Sequence, residues 1–365
     1  MEMDKAYRYW LHSLPGVGDR TIEKLLKEFG SAEQVYRAMN YLPPKMFKKN
    51  GLEGIKTFSK TWEVEREYEN LLQRGISFCT LEEEGYPARL RKLIHPPYAL
   101  YCMGHMPKEE CHSIAIIGAR ECSEYGKYMA RAFAGKIAEA GVSVISGMAR
   151  GIDGISQRAA VEKKGRTYAV LGSGVDICYP ASNQRLYQDI QDTDGGILSP
   201  FPPGTPPNKI QFPERNRIVA GLSDLILVVE ARAKSGTWIT VDMALEQGKN
   251  IYAVPGRLTD RLSDGCNLLI RQGAGIALAP EDILAELAVL TNREGIKSRK
   301  ESKGSVGAAR FLDFYPKSAE KLLKEMTKAG IVVELPELLA ELIGLCVEGE
   351  AKQVAGSHFV KVHER

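Results

Sequence analysis

The sequence predicts an α/β protein built on an extended Rossmann-like, doubly wound sheet, flanked by an N-terminal helical domain and a C-terminal winged-helix-like domain. Three observations carry that expectation. From Ser113 onward, short apolar runs alternate with amphipathic stretches, the signature of parallel strands joined by crossover helices. Most of the apolar runs lead into glycine-bearing segments. A polar, basic stretch without aromatic residues, 291–309, separates this region from a last segment with helical periodicity.

Taken in chain order, residues 5–39 read as two short helices around Leu14-Pro15-Gly16-Val17-Gly18. Ile22, Leu25, Leu26 and Phe29 fall at helical spacing and Gly30 is the stop. A further helical stretch ends near Arg74, which gives a small all-helical domain over 1–74. Its two turn glycines can offer backbone amides to a DNA phosphate, or serve only as a connection. Strands are expected at 113–117, 142–146, 167–171, 196–199, 225–230 and 251–254, with helices near 125–139, 152–163, 182–191, 213–221 and 237–247. Two earlier runs, 76–81 and 98–103, add edge strands, so the Rossmann-like domain spans 75–290. The linker 291–309 leads to a domain over 310–365. There Ser318 is placed to cap a helix ending at Gly330, and Pro336 begins another with Leu339, Leu342 and Cys346 on one face. A hairpin-like stretch over 352–362 follows, and helix, helix and hairpin together suggest a winged helix.

Composition bounds the function class. With 26% charged and 44% apolar residues the chain is an ordinary globular protein. Its net charge is only +3, so any surface for nucleic acid comes from local placement of charge. Seven cysteines without a CxxC pair form neither a disulfide framework nor a zinc site, and read as small buried hydrophobes in a reducing compartment. The N-terminus carries no signal-peptide pattern and no 18-residue apolar run occurs, so a cytoplasmic protein without a membrane segment is expected.

In an open α/β sheet, ligands bind outside the carboxyl ends of the strands. The segments there are Gly118-Ala119-Arg120, Ser146-Gly147-Met148-Ala149-Arg150-Gly151, Gly172-Ser173-Gly174, the proline-rich 200–207, Arg232-Ala233-Lys234-Ser235-Gly236-Thr237 and Pro255-Gly256-Arg257. Small residues let backbone amides approach an anion, and the cations beside them suit phosphate. A dinucleotide site fails on two counts. Gly172-Ser173-Gly174 lacks the third glycine of G-x-G-x-x-G and follows the third parallel strand, and the second such strand ends without the acid that would hold a ribose. No GK[ST] occurs, which removes a P-loop.

The segment from Lys209 to Arg217 is the most informative. Pro213 suits a first helical position, and Arg215, Asn216 and Arg217 crowd that helix end. At about 100° per residue the two arginines face nearly opposite sides, so at most one reaches a ligand while the other braces the protein. Phe212 reads either as a base-stacking platform or as a core residue, and Lys209 as a phosphate neutraliser. Ser235 is placed to cap the next helix. Arg120, on a loop directly after the first parallel strand, has the least structural reason to be there, which favours a ligand role. Catalysis finds no support. HExxH, GxSxG and paired-carboxylate spacings are absent, and Asp153 and Asp176 read as loop or cap residues.

These residues resemble the DNA-processing protein A (DprA/Smf) family over nearly the whole chain. The motifs are GAR at 118–120, SGMARGID at 146–153, LGSGVDICYPASN from 171, FPERNRIVAGLSDLILVVEA from 212, SGT at 235, AVPG at 253 and GCNLLIRQGA from 265. The resemblance implies a non-catalytic, cofactor-free protein, usually dimeric, that binds incoming single-stranded DNA during natural transformation, protects it and helps load the RecA recombinase. That the strand is single comes from the resemblance. It places Gly118 and Arg120 in the family's G-[S/A/T]-R pocket, and Lys209 and Phe212 on its lysine and base-contacting aromatic. Ser146, Gly147, Arg215, Asn216, Arg217, Ser235 and Gly236 also fall on motif positions. Two departures stand out: the usual SEYP reads Ser199-Pro200-Phe201-Pro202, and the histidine that often follows GID is Gln157. The alternative is a nucleotide-cleaving hydrolase on a related scaffold, but its PGGxGTxxE is split here between Pro255-Gly256-Arg257 and Ser235-Gly236-Thr237.

Overall fold

A computed structural model describes residues 2–47, 51–288, 308–313, 317–331, 333–347, 351–354 and 358–361, and most of the linker expected at 291–309 lies outside them. The chain divides into two compact units, Met1–Leu287 and Ala288–Arg365.

The first unit begins with five helices: α1 (Glu2–Ser13), α2 (Asp19–Phe29), α3 (Ala32–Arg37), α4 (Gly51–Thr61) and α5 (Val64–Gln73). Ile22 and Leu25 are buried as their spacing requires, and Gly30 closes α2 at φ 89°, a conformation suited to glycine. Strands β1 (Ile76–Thr80) and β2 (Ala99–Gly104), with the short α6 (Ala88–Arg91) between them, follow. Then come β3 (Ser113–Ile117), α7 (Glu124–Glu139), β4 (Ser143–Ser146), α8 (Ile152–Glu162), β5 (Thr167–Val170), α9 (Gln184–Gln191), β6 (Gly196–Ser199), α10 (Gln211–Leu222), β7 (Leu225–Val228), α11 (Thr237–Glu246), β8 (Asn250–Ala253), α12 (Asp264–Arg271), β9 (Gly275–Ile276) and a helix over 280–288, α13.

The nine strands lie in the order β1-β2-β6-β5-β4-β3-β7-β8-β9. From β6 to β9 every pairing is parallel, and β1 and β2 extend one edge antiparallel, with Tyr101 opposite Ser199. Both early runs are therefore strands added at one edge of the sheet, as expected, with β1 outermost. Strands such as SIAII and LILV are buried along their whole length, as a sheet covered on both faces demands. Alternation divides their side chains between two cores. Ala99 and Tyr101 face Trp10, Leu25 and Leu71 of the N-terminal helices, while Leu100 and Cys102 face Ile218 and Leu222 of α10. The sequence-based helix at 213–221 begins earlier, at Gln211, because amides of a first turn have no helical acceptor and a proline is tolerated throughout it.

The second unit contains α14 (Ala319–Lys328), α15 (Leu335–Val347) and a three-stranded antiparallel sheet of β10 (Lys317–Ser318), β12 (His358–Lys361) and β11 (Ala351–Val354) in that order. The Ser318 hydroxyl accepts from the Lys321 amide at 3.2 Å, capping α14. Leu322, Met326, Leu338, Leu342 and Phe359 form its core. The buried stripe of α15 runs through Leu338, Leu342 and Leu345, with Leu339 and Cys346 at its margin.

Candidate functional site

Because β4 lies on one side of β3 and β7 on the other, the strand order reverses at β3, and a crevice opens where their carboxyl ends diverge. A cleft of about 670 Å³ occupies it, walled by the loops after β3, β4 and β7 and by the first turns of α10 and α11. Gly172-Ser173-Gly174 and Pro255-Gly256-Arg257, expected at the same rim, do not line it.

Arg120 is exposed in the cleft, its guanidinium carbon 5.7 Å from the centre of the Phe212 ring. Its loop is held from several sides. The Ala119 amide donates to the carbonyl of Glu230 at 2.7 Å, and the Ile152 amide donates to the Ala119 carbonyl at 3.1 Å. A side chain on Gly118 would strike Ile152 at 2.7 Å, and one on Gly151, at φ 75°, would strike the Ala119 carbonyl at 2.2 Å. Both glycines thus serve close packing of loop on loop. The carboxylate of Glu230, 2% exposed, accepts from the Ser123 amide at 2.9 Å and from the Ser123 hydroxyl, anchoring the start of α7.

Gly147 lies on the cleft wall against Arg215: a methyl group on it would come within 2.3 Å of the guanidinium. Arg215, 5% exposed, donates to the carbonyls of Gly147 at 2.5 Å and of Val170, and its Nε donates to Asn216 Oδ1 at 3.1 Å. Burial pulls its pKa down to about 10, against the pull of Asp153. Asp153, buried beside it, accepts from the Gly147 amide at 3.2 Å, and its pKa is raised by burial. It is a loop brace. Arg217 points elsewhere and donates to the His95 carbonyl. Neither arginine of the pair is exposed in the cleft, so the expectation that one braces holds for Arg217, and Arg215 braces as well while still lining the cleft.

Phe212 and Lys209 line the cleft, the lysine exposed and the ring half-buried, tilted at 32° to Tyr179 with centroids 5.8 Å apart. Gly172 lies directly under the ring, where a Cβ would meet it at 2.8 Å. Phe212 is the second residue of α10 and does not precede the helix. Ser146 is fully buried, outside the cleft, and its hydroxyl donates to the Ile116 carbonyl at 2.7 Å. Ser235 does not cap α11. Gly236, already helical in backbone, is the capping position, and the Trp238 amide takes the Ser235 carbonyl at 3.3 Å. The Ser235 hydroxyl is buried without a hydrogen-bond partner among the described residues. Gly236 is exposed with open space around it, so nothing steric requires glycine there.

Three lining residues escaped the sequence reading as site residues: Arg232, Lys234 and Tyr179. The first two were visible as a basic pair before Ser235, while Tyr179, nine residues beyond β5, lies within the LGSGVDICYPASN motif but has no spacing that marks it out there. The cleft therefore presents four exposed cations, Arg120, Lys209, Arg232 and Lys234, none ion-paired among the described residues, around an aromatic pair. Glu121 is its one exposed acid. Of the two departures from the family pattern, Gln157 is accommodated: it accepts from the Met148 amide at 3.0 Å and donates to Thr167 Oγ1 at 3.2 Å.

A doubly wound sheet with a basic, aromatic switch-point cleft defines a Rossmann-like protein built to hold a polyanion. The chain belongs to the family described as DNA recombination-mediator protein A, whose model matches residues 77–288, more than half its length. It is 39% identical over 215 residues to DNA processing protein DprA of Streptococcus pneumoniae, covering 59% of this chain and 75% of that one. It is also 39% identical over 221 residues to protein Smf of Escherichia coli, covering 58% and 59%. The X-ray structure of DprA from Streptococcus pneumoniae matches with TM-score 0.65 at 30% identity, over 77% of this chain and 97% of that one. A structure of DNA processing protein A from Helicobacter pylori, which concerns that protein's single-stranded DNA binding mode, matches with TM-score 0.52 at 31% identity, over 58% and 96%.

Proposed function

We propose that the cleft binds single-stranded DNA without sequence preference, and that the protein protects an incoming strand during natural transformation and passes it to a RecA-type recombinase. The observation that carries the reading is the set of four exposed cations, none ion-paired among the described residues, that line the cleft together with Phe212 and Tyr179. Cations track a phosphate backbone, and every base has a face to stack on an aromatic ring. The likeness to the Helicobacter pylori protein, with its single-stranded DNA binding mode, supports the choice of ligand. The protein acts without catalysis and without a cofactor. Asp153, the buried acid of the cleft, accepts from the Gly147 amide with the charge of Arg215 nearby, which suits a loop brace. Among the described residues no helix is long and apolar enough to cross a membrane; work in the cytoplasm is part of the same proposal.

Within this reading Gly118, Gly147 and Asn216 shape the wall, and Ser146, Arg215 and Arg217 hold its loops. Ser235 and Gly236 offer the backbone at the start of α11. A homodimer is the working form, residues 1–74 act as a helix-hairpin-helix or SAM-like domain, and 310–365 act as a winged-helix-like domain. Gel shifts with single- and double-stranded oligonucleotides test the proposal. The parent is expected to retard single strands in the presence of duplex competitor, and folded Arg120→Glu to fail. Equal retardation by Arg120→Glu, or preference for duplex, refutes it.

A further inference from the structure

One mouth of the cleft is continuous with a second surface. Glu121 and Leu262 both line the cleft, and from Glu121 the chain runs directly into α7, while Leu262 ends the exposed loop 257–261. The two outgoing segments are joined, since the Tyr125 hydroxyl donates to the Pro255 carbonyl at 2.8 Å. Tyr128, one turn further along α7 and 69% exposed, is on the same side of the helix as Tyr125, because residues three apart are neighbours on a helix surface. Exposed Arg131 follows it at the same spacing. The adjoining loop carries exposed Arg257 and Arg261, with Leu258 88% exposed between them. The exposed acids on these segments are Glu121, Glu124, Asp260 and Asp264, of which Glu124 is already paired with Lys127 at 2.6 Å. Exposed aromatics and arginines without an ion pair among the described residues thus continue the pattern of the cleft beyond its rim.

We infer that the DNA-binding surface extends past the cleft over the 257–261 loop onto α7, where Tyr128 stacks a base of the outgoing strand and Arg257, Arg261 and Arg131 follow its phosphates. The inference rests on the single-strand reading of the cleft. The same side chains would suit a protein partner, but continuity with the basic cleft favours the strand. It makes the occupied length of DNA longer than the cleft alone can hold.

The test compares two oligothymidylates by fluorescence anisotropy, one of about four nucleotides and one of about 20, which bracket common site sizes. Tyr128→Ala is expected to bind the short probe as the parent does and the long probe about 5- to 100-fold more weakly. Tyr128→Trp should recover the long-probe affinity, and Arg261→Glu should lower it. Parent-like binding of both probes by Tyr128→Ala overturns the extension and assigns the patch to something other than the strand. Equal weakening of both probes overturns it too. Arg120→Glu provides the separate control: unchanged short-probe binding there defeats the cleft reading and this inference with it, whereas a failure confined to Tyr128 leaves the cleft reading intact.

Discussion

Replacing Arg215 by methionine keeps much of the side-chain volume but removes the guanidinium that holds the Gly147 and Val170 carbonyls and faces Asp153. Two buried acceptors then lose their donor and a buried carboxylate loses a neighbouring positive charge, a change that costs about 3–5 kcal/mol. For a unit the size of Met1–Leu287, unfolding entropy near the midpoint is about 0.6 kcal/mol/K, so Tm is expected to fall by about 5–8 °C. Arg120→Met, at an exposed side chain without a carboxylate partner, changes stability by about 0.5 kcal/mol or less. It is expected instead to weaken oligonucleotide binding by about 10- to 100-fold, the value of one or two charge-assisted bonds. Scanning calorimetry and anisotropy on both variants separate the roles. A parent-like Tm for Arg215→Met, or a loss of several degrees for Arg120→Met, would refute the division between brace and ligand contact. The pH dependence adds a sign. Without Arg215 the strongest of the influences that offset the burial of Asp153 is gone, so its pKa climbs further and the fold favours the protonated carboxyl. The deficit of Arg215→Met is then full above that pKa and shrinks as pH falls through it, which Tm against pH reads directly.

Removing the ring in Phe212→Ala should weaken single-strand binding by about 5- to 100-fold and Phe212→Tyr should retain it, while Gly172→Ala, by pushing the ring from below, should produce part of the loss with the ring still present. Equal affinities for all three would remove stacking from the cleft. Lys209→Ala should flatten the dependence of log K on log salt by about 0.7, the share of one phosphate on a single strand, and an unchanged slope would place Lys209 off the backbone. Buried His12, whose Nδ1 lies 2.8 Å from the Tyr101 hydroxyl, is pulled by burial down to about 4 from 6.5, so its contribution is full above 6.5 and is lost as pH falls toward 4. Asp19, 3.9 Å from it, is pushed by burial up to about 6 from 3.8, so the fold prefers it protonated and its contribution is lost as pH rises from 3.8 toward 6. The two slopes oppose each other. His12→Asn is therefore expected to lose stability with rising pH across about 4–6 and Asp19→Asn to gain it, and urea melts with parallel pH profiles would contradict both.

The sheet was legible because its strands are buried on both faces and leave unbroken apolar runs such as SIAII, which need no knowledge of their neighbours. The cleft's position followed from the carboxyl-end rule, but its walls depend on contacts far apart in sequence. Glu230 shows why. A carboxylate at the end of an apolar run reads as the first exposed residue after a strand, yet it is 2% exposed and bonded to Ser123, 107 residues away. Gly126 makes room for it, since a Cβ there would come within 2.2 Å of the carboxylate. Nothing local distinguishes such a glycine from one that merely bends a loop. Ser235 erred in the opposite direction, because a serine before a helix is a common cap and only the helical backbone of Gly236 displaced it.

The arginines of α10 mark where sequence reasoning stops and packing takes over. The 100° step correctly separates Arg215 from Arg217, but which side meets the cleft depends on how α10 lies across the sheet, and in fact Arg215 passes beneath the cleft wall while Arg217 turns to His95. Burial does not remove Arg215 from the electrostatics of the site. Its guanidinium carbon lies 6.0 Å from the centre of the Phe212 ring, with Arg120 at 5.7 Å from that same ring. Charge held in low dielectric is less screened than charge in water, so the buried cation adds to the potential in which a phosphate beside Phe212 would sit without touching it. Arg215→Met should consequently weaken oligonucleotide binding even well below its own Tm, where the variant is fully folded. Its salt dependence should keep the parent's slope, since no phosphate contact is lost. A folded Arg215→Met that binds with parental affinity would confine this arginine to holding the loops together.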